Sequence, residues 1–362
     1  MEGELTKNPI NLIILMVSIS IIIIIIEIEE IMSILDFGGK YLDSIKLARS
    51  ENTFLAYSNG IELFFSVLKE RWIDPEKTPI SELKEESVTW FAAYLKNFST
   101  ATEKLYLQAT KGFFEFLSAE NALNINLPRI KLLLKQRSRR AGIRLPQFPR
   151  ESIEKIIEFV DSYTNCEYKQ TIDKLRALRD RAFLITLADT GLRVSEACKL
   201  RRGEIDWNEG RAIIIGKGDK EAIIRFSNRS MQALKDYLNI RAKMDGSTGL
   251  PLASLPLFAR HDKGAGKKTK PITTTTGRNI VGEQARKALG NEVERNITPH
   301  SFRHYFVTTV LRSSGNLKLA QELARHTNIS VTQRYAHLSD NELDQGYSNI
   351  FDENKKNLKM TH

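Results

Sequence analysis

Three short stretches hold side chains that could act together on one phosphate. TGLRVSEACKL carries Arg193 two residues after a glycine able to end a helix, with Glu196 one helical turn further on. TPHSFRHYF carries His300 and Arg303, also one turn apart and so on one helix face. HTNISVTQRYAH places Tyr335 nine residues after His326. A lone tyrosine in a helical stretch is usually a packing residue. This one has company: of six histidines, four lie between positions 300 and 337.

Two guanidinium groups can hold a phosphate by forked, charge-assisted hydrogen bonds that lysine imitates poorly. As a phosphodiester is attacked, charge grows on its non-bridging oxygens, and fixed cations there stabilise the transition state. A tyrosine hydroxyl with an ordinary pKa near 10 attacks only once a base or cation helps remove its proton. Histidines tuned near neutrality can relay that proton. The leaving 5′-oxygen needs a proton too. Lys217, in the turn GKGDK, is placed to give one, with Lys220 three residues on as the alternative.

Something must position these groups. From about Met32 the apolar spacing is helical: Phe54, Tyr57, Ile61, Phe64, Phe65 and Leu68 form one stripe, ESVTWFAAYLK suggests a second helix, and TATE supplies a Thr-x-x-Glu cap for a third starting at Thr100. Residues 32–128 thus read as a helical domain. Residues 131–150 contain seven Lys/Arg, no acid, and prolines at 146 and 149. The segment 129–147 therefore reads as a basic linker suited to a phosphate backbone, with Lys131, Lys135, Arg137, Arg139, Arg140 and Arg144 as DNA contacts. A second domain, 148–351, opens with helices and contains RAIIIGKGDKEAIIRFS, two apolar runs about a turn, which predicts a β-hairpin. DKGAGKKTKP is a mobile basic loop whose Lys267 and Lys268 are further DNA-contact candidates. Residues 352–362 read as a frayed, disordered tail.

The 362 residues suffice for two cores, and the net charge of +10 favours a polyanionic partner. Cys166 and Cys198 sit in no disulfide or zinc-ligand spacing, which fits a reducing cytosol; Cys198 reads as a small buried hydrophobe. No P-loop, no metal-binding carboxylate cluster and no zinc spacing is evident. Residues 1–31 stand apart. Ile10 to Ile26 is an uncharged run of 17 residues that as a helix spans roughly 26 Å, short of the ~30 Å hydrocarbon core. It reads as over-extended sequence ahead of a start at Met32, with a membrane anchor as the alternative.

In order and neighbourhood, Arg193 in TGLRVSE, Lys217, His300 and Arg303 in PHSFRH, His326 in ARH and Tyr335 in TQRYAH resemble the tyrosine recombinases, or phage-type integrases. The match covers about residues 148–340, and the preceding helical segment resembles their SAM-like core-binding domain. The arrangement fits the simple two-domain, Xer-like members. The resemblance implies a mainly α fold with a small antiparallel β-sheet in the catalytic domain, and a clamp of two domains around double-stranded DNA. It implies that Arg193 and Arg303 bind the scissile phosphate, His300 and His326 assist with protons, Lys217 is the general acid and Tyr335 the nucleophile. Glu196 matches the family's supporting acid, while His304 and His337 are packing or surface residues. It further implies a 3′-phosphotyrosyl intermediate with no cofactor or metal, a Holliday junction and a homo-tetramer on paired sites. The tail LSDNELDQGYSNIF is expected to be exchanged in trans between protomers. The rival readings are a type IB topoisomerase or hairpin-resolving enzyme with the same chemistry, and a non-catalytic, membrane-anchored DNA-binding protein.

Overall fold

The computed structural model describes residues 32–139, 150–216, 221–262, 264, 269–290, 297–326 and 328–333. The chain divides into two compact units between Ile143 and Arg144.

The first unit is built from five helices among the described residues: α1 (Ile34–Ala48), α2 (Glu51–Lys69), α3 (Ser87–Tyr94), α4 (Thr100–Ala119) and α5 (Leu127–Arg137). Ser33 and Asp36 close a reciprocal cap at the start of α1. The apolar stripes meet in an aromatic core, where Phe64 packs edge-on against Phe91 with centroids 5.3 Å apart and Phe65 does so against Phe113 at 6.1 Å.

Two expectations need correction here. The cap of α4 is Ser99, whose side chain accepts from the Thr102 amide at 3.1 Å. Glu103 is no part of a cap. It is fully buried, and its carboxylate takes Lys96 Nζ at 3.0 Å and the Arg139 amide at 2.8 Å, with the Arg139 guanidinium alongside. Burial would raise that carboxyl, but the Arg139 and Lys96 bonds outweigh it and hold it below the usual range. The second correction concerns the start of the linker. Asn126 caps α5, Pro128 sits in its first turn, and Ile130 and Leu134 are buried in the first core. Residues 129–137 therefore belong to the helical unit, because an apolar i, i+4 pair outweighs the basic character of their neighbours.

The second unit contains α6 (Arg150–Asp161), α7 (Thr171–Thr190), α8 (Val194–Lys199), β1 (Ile205–Asp206), β2 (Arg211–Ile215), β3 (Glu221–Arg225), α9 (Asn228–Gly246), α10 (Thr274–Leu289), α11 (Pro299–Ser314), α12 (Leu317–Ala324) and α13 (Ile329–Gln333). Helix α7 is buried along most of its length, with α6, α9 and α11 packed around it. The hairpin forms as expected, with Ile213 opposite Ile223, and β1 adds a third antiparallel strand to it. The fold is mainly helical with one small antiparallel sheet. Cys198 is buried, with its Sγ 3.5 Å from the Thr273 carbonyl, and burial pushes its thiol up to about 11. The basic loop after Asp262 leaves from paired ends, the Arg260 amide donating to the Lys270 carbonyl at 2.8 Å.

Among the described residues no helix is long and apolar enough to cross a membrane. Residues 1–31, the basic residues Arg140, Arg144, Lys267 and Lys268, the turn holding Lys217 and Lys220, and everything from position 334 onward lie outside the described residues. That last group includes Tyr335, His337 and the tail.

Candidate active site

The site is assembled where four helices end or begin. Helix α7 stops at Gly191, whose φ of +60° permits the left-handed cap. A Cβ at Gly191 would come within 2.4 Å of the Phe306 ring, so glycine is also what lets α7 approach α11 so closely. Leu192 is buried next to it and anchors the turn. The chain then starts α8 with Arg193 at its cap. Its amide donates to Glu196 Oε2 at 2.9 Å and its Nη1 to Oε1 at 2.7 Å. The Arg193 side chain nevertheless keeps 45% of its surface open to solvent.

Helix α11 begins with Pro299 in its first turn and projects His300 and Arg303 from one face. Arg303 is only 3% exposed. Its Nη1 donates to the carbonyl of Gly191 and its Nη2 to that of Ala324, the ends of α7 and α12. Both are helix C-termini, where backbone carbonyls lack partners within the helix and the dipole favours a cation. Arg193, His300 and Arg303 line one cleft of about 360 Å³, together with Arg278 from α10.

Just past α12, His326 hydrogen-bonds through Nδ1 to the hydroxyl of fully buried Thr332 at 2.9 Å, which orients the ring. Burial, then the positive field of Arg303 and Arg193, pushes His326 down to about 4. His300 is lowered by burial and by the same two arginines. His304 stacks edge-on against His300 with centroids 4.3 Å apart, and burial followed by His300 and Arg303 takes it to about 4. All three imidazoles are therefore neutral at neutral pH and able to accept a proton.

The structure thus brings together Arg193, Glu196, His300, Arg303 and, through the end of α12, His326. Lys217 and Tyr335 lie outside the described residues. Of the basic residues expected on DNA, Lys135 and Arg137 are exposed, and Lys131 is exposed but paired with Glu115 at 3.3 Å. Arg139 pairs with buried Glu103, while its side chain keeps 37% of its surface open to solvent. Three contributors had no signal in the sequence: Thr332, Arg278 and Arg325, whose guanidinium donates to Glu196 Oε2 at 3.1 Å. Among the described residues no three His, Cys, Asp or Glu side chains gather as metal ligands.

The sequence matches the family model described as the phage integrase family over residues 148–342, and that of the phage integrase N-terminal SAM-like domain over residues 40–121. It is 31% identical over 312 residues to tyrosine recombinase XerC of Thermodesulfovibrio yellowstonii, covering 85% of this chain and 93% of the relative. It is 28% identical over 300 residues to tyrosine recombinase XerC of Bacillus subtilis, covering 82% and 90%. Among solved structures, the XerH site-specific recombinase bound to a palindromic difH substrate aligns with a TM-score of 0.60 at 23% identity, over 82% of this chain and 78% of that one. The Tn1549 transposon integrase in complex with a circular-intermediate DNA also gives 0.60, at 19% identity over 88% and 99%. At these identities the structural likenesses speak to the fold, while the sequence matches establish kinship: the chain belongs to the phage integrase family and is an enzyme of the tyrosine-recombinase type.

Proposed function

We propose that the protein is a site-specific recombinase that cuts and rejoins double-stranded DNA through a 3′-phosphotyrosyl link to Tyr335. The observation that carries this reading is the cleft that Arg193, His300 and Arg303 line together, roomy enough to admit a phosphodiester. Arg303 is braced by two helix ends and Arg193 by Glu196, so both guanidiniums are fixed before the substrate arrives. Preorganised charge of this kind costs no rearrangement at the moment of reaction. The phenol oxygen of Tyr335 attacks phosphorus, its proton passing to a neutral imidazole, and the bond to the 5′-oxygen breaks. That oxygen leaves as a hydroxyl with a proton from Lys217 or Lys220. Rejoining is the reverse, with a 5′-hydroxyl from the exchanged strand as nucleophile. The phosphotyrosyl bond conserves the energy of the broken diester, so the chemistry needs no nucleotide.

The region 32–139 acts as the core-binding unit and the region from 150 onward as the catalytic one. Lys135, Arg137, Arg140, Arg144, Lys267 and Lys268 supply phosphate contacts, which makes binding salt-dependent. Four protomers on two sites exchange strands through a Holliday junction, with the tail passed between neighbours. A DNA substrate and cysteines outside any disulfide pattern suit the cytoplasm. The test is a nicked duplex that traps the intermediate. Wild type should give an SDS-resistant protein–DNA adduct and Tyr335→Phe none; an adduct from Tyr335→Phe would mean that another residue attacks.

A further inference from the structure

Arg325 sits at the end of α12 with φ of +56°, a left-handed conformation that side-chain-bearing residues adopt at a cost. Its side chain turns inward. Nη2 donates to Glu196 Oε2 at 3.1 Å and lies 3.4 Å from the Gly191 carbonyl, while Nε and Nη1 are buried without a hydrogen-bond partner among the described residues. A side chain that accepts a left-handed backbone to reach two buried acceptors is held there by what it contacts. Those contacts are the two supports of the phosphate cleft: the carboxylate that braces Arg193, and the carbonyl that braces Arg303. The next residue in the chain is His326.

We infer that Arg325 is a positioning residue for strand cleavage. By holding the second oxygen of Glu196 and the Gly191 carbonyl, it keeps Arg193, Arg303 and His326 in one fixed arrangement around the phosphate. Arg325 is not among the described residues that line the cleft, and its hydrogen bonds go to Glu196 and the Gly191 carbonyl, so it acts through them. Glu196 is faced by Arg193 from its own turn and by Arg325 from α12. Arg303 and Arg278 complete the local charge, and Asp189 at the end of α7 is taken up by Ser227 and Arg229. Burial would raise the Glu196 carboxyl; Arg325 first, then Arg193, brings it below its usual value. Without Arg325 that carboxyl rises, and its grip on Arg193 is lost at a higher pH.

This inference rests on the recombinase reading, and the experiment separates the two. Nicked duplexes are recovered by covalent capture from a randomised pool with the wild-type protein; failure to capture any would sink the reading itself. On a captured duplex, single-turnover adduct formation and binding are measured against pH for wild type, Arg325→Gln, Arg325→Gly and Arg325→Lys. Arg325→Gln should slow cleavage roughly tenfold or more, with half-saturation changed by no more than about threefold. The acid limb of its rate profile should move to higher pH. Arg325→Gly, free of the backbone strain, should fold and match Arg325→Gln, while Arg325→Lys keeps the charge and should leave the acid limb near that of wild type. The inference is overturned if Arg325→Gln cleaves at the wild-type rate with an unmoved profile. It is equally overturned if Arg325→Lys and Arg325→Gln are alike in rate and profile, the mark of a residue that merely fills space.

Discussion

Two triads in the catalytic unit have the same composition, one carboxylate between two arginines, and different uses. Asp245 lies between Arg241 at 3.0 Å and Arg202 at 2.6 Å. Arg241 is fully buried, and its remaining donors reach the Tyr237 hydroxyl and the carbonyls of Pro256 and Leu257. That guanidinium has no face left for a ligand. Glu196 lies between Arg193 at 2.7 Å and Arg325 at 3.1 Å, but here one arginine opens into a cleft and the other has two donors without a partner among the described residues. The first triad closes a core around α9; the second leaves positive charge open to a cleft. What distinguishes the two triads here is access: Arg241 is fully buried, whereas Arg193 keeps 45% of its side chain open and lines a cleft.

The largest effect that can break this comparison is on chemistry. Arg193→Ala should lower single-turnover cleavage about a thousandfold, or ~4 kcal/mol, while thermal stability and DNA binding stay close to wild type. A large loss of stability would mean that the open triad is structural after all. Arg241→Met should do the converse, destabilising the catalytic unit by about 3 kcal/mol or more because Asp245 is left buried with a weakened counter-charge. Denaturant titration measures it, and a variant as stable as wild type would show the closed triad to be dispensable.

The histidines sharpen the contrast by pH. His261, which hydrogen-bonds Tyr237 in the closed network, is pushed down to about 3 by burial and the surrounding arginines, and His304 and His326 in the cleft region to about 4. Their ordinary value is 6.5. Between these limits the unfolded chain binds more protons than the native one, so native stability is complete above about 6.5 and falls as the pH drops toward 4. The melting temperature should decrease by roughly 5 °C or more between pH 7 and 4.5. An unchanged melting temperature would remove the buried neutral imidazoles from the account.

The smallest effect concerns a helix end in the first unit. Ser99→Ala should cost about 1 kcal/mol and Thr100→Ala much less, because Ser99 and not Thr100 holds the amide of Thr102. Equal losses in the two variants would return the cap to Thr100.

What could be read from the sequence was local. The glycine that ends α7, the one-turn spacing of His300 and Arg303, and the hairpin about GKGDK each depend on neighbours within a few residues. What escaped was long-range. Arg139 looked like a linker cation until Glu103, 36 residues earlier, appeared beside it, and Arg325 meets Glu196 across 129 residues. β1, two residues long, shows no alternation of its own and exists because β2 pairs with it. Lys131 and Arg139 share a basic run, and only the fold separates the exposed cation from the one paired with buried Glu103.

Cleavage by this chemistry leaves one protein atom bonded to DNA. Protease digestion of the trapped adduct, followed by mass spectrometry of the nucleotide-linked peptide, should place a 3′-phosphoryl nucleotide on Tyr335 and nowhere else. A nucleotide carried by a serine, a histidine or any other tyrosine, or an adduct joined through a 5′-phosphate, would contradict that assignment.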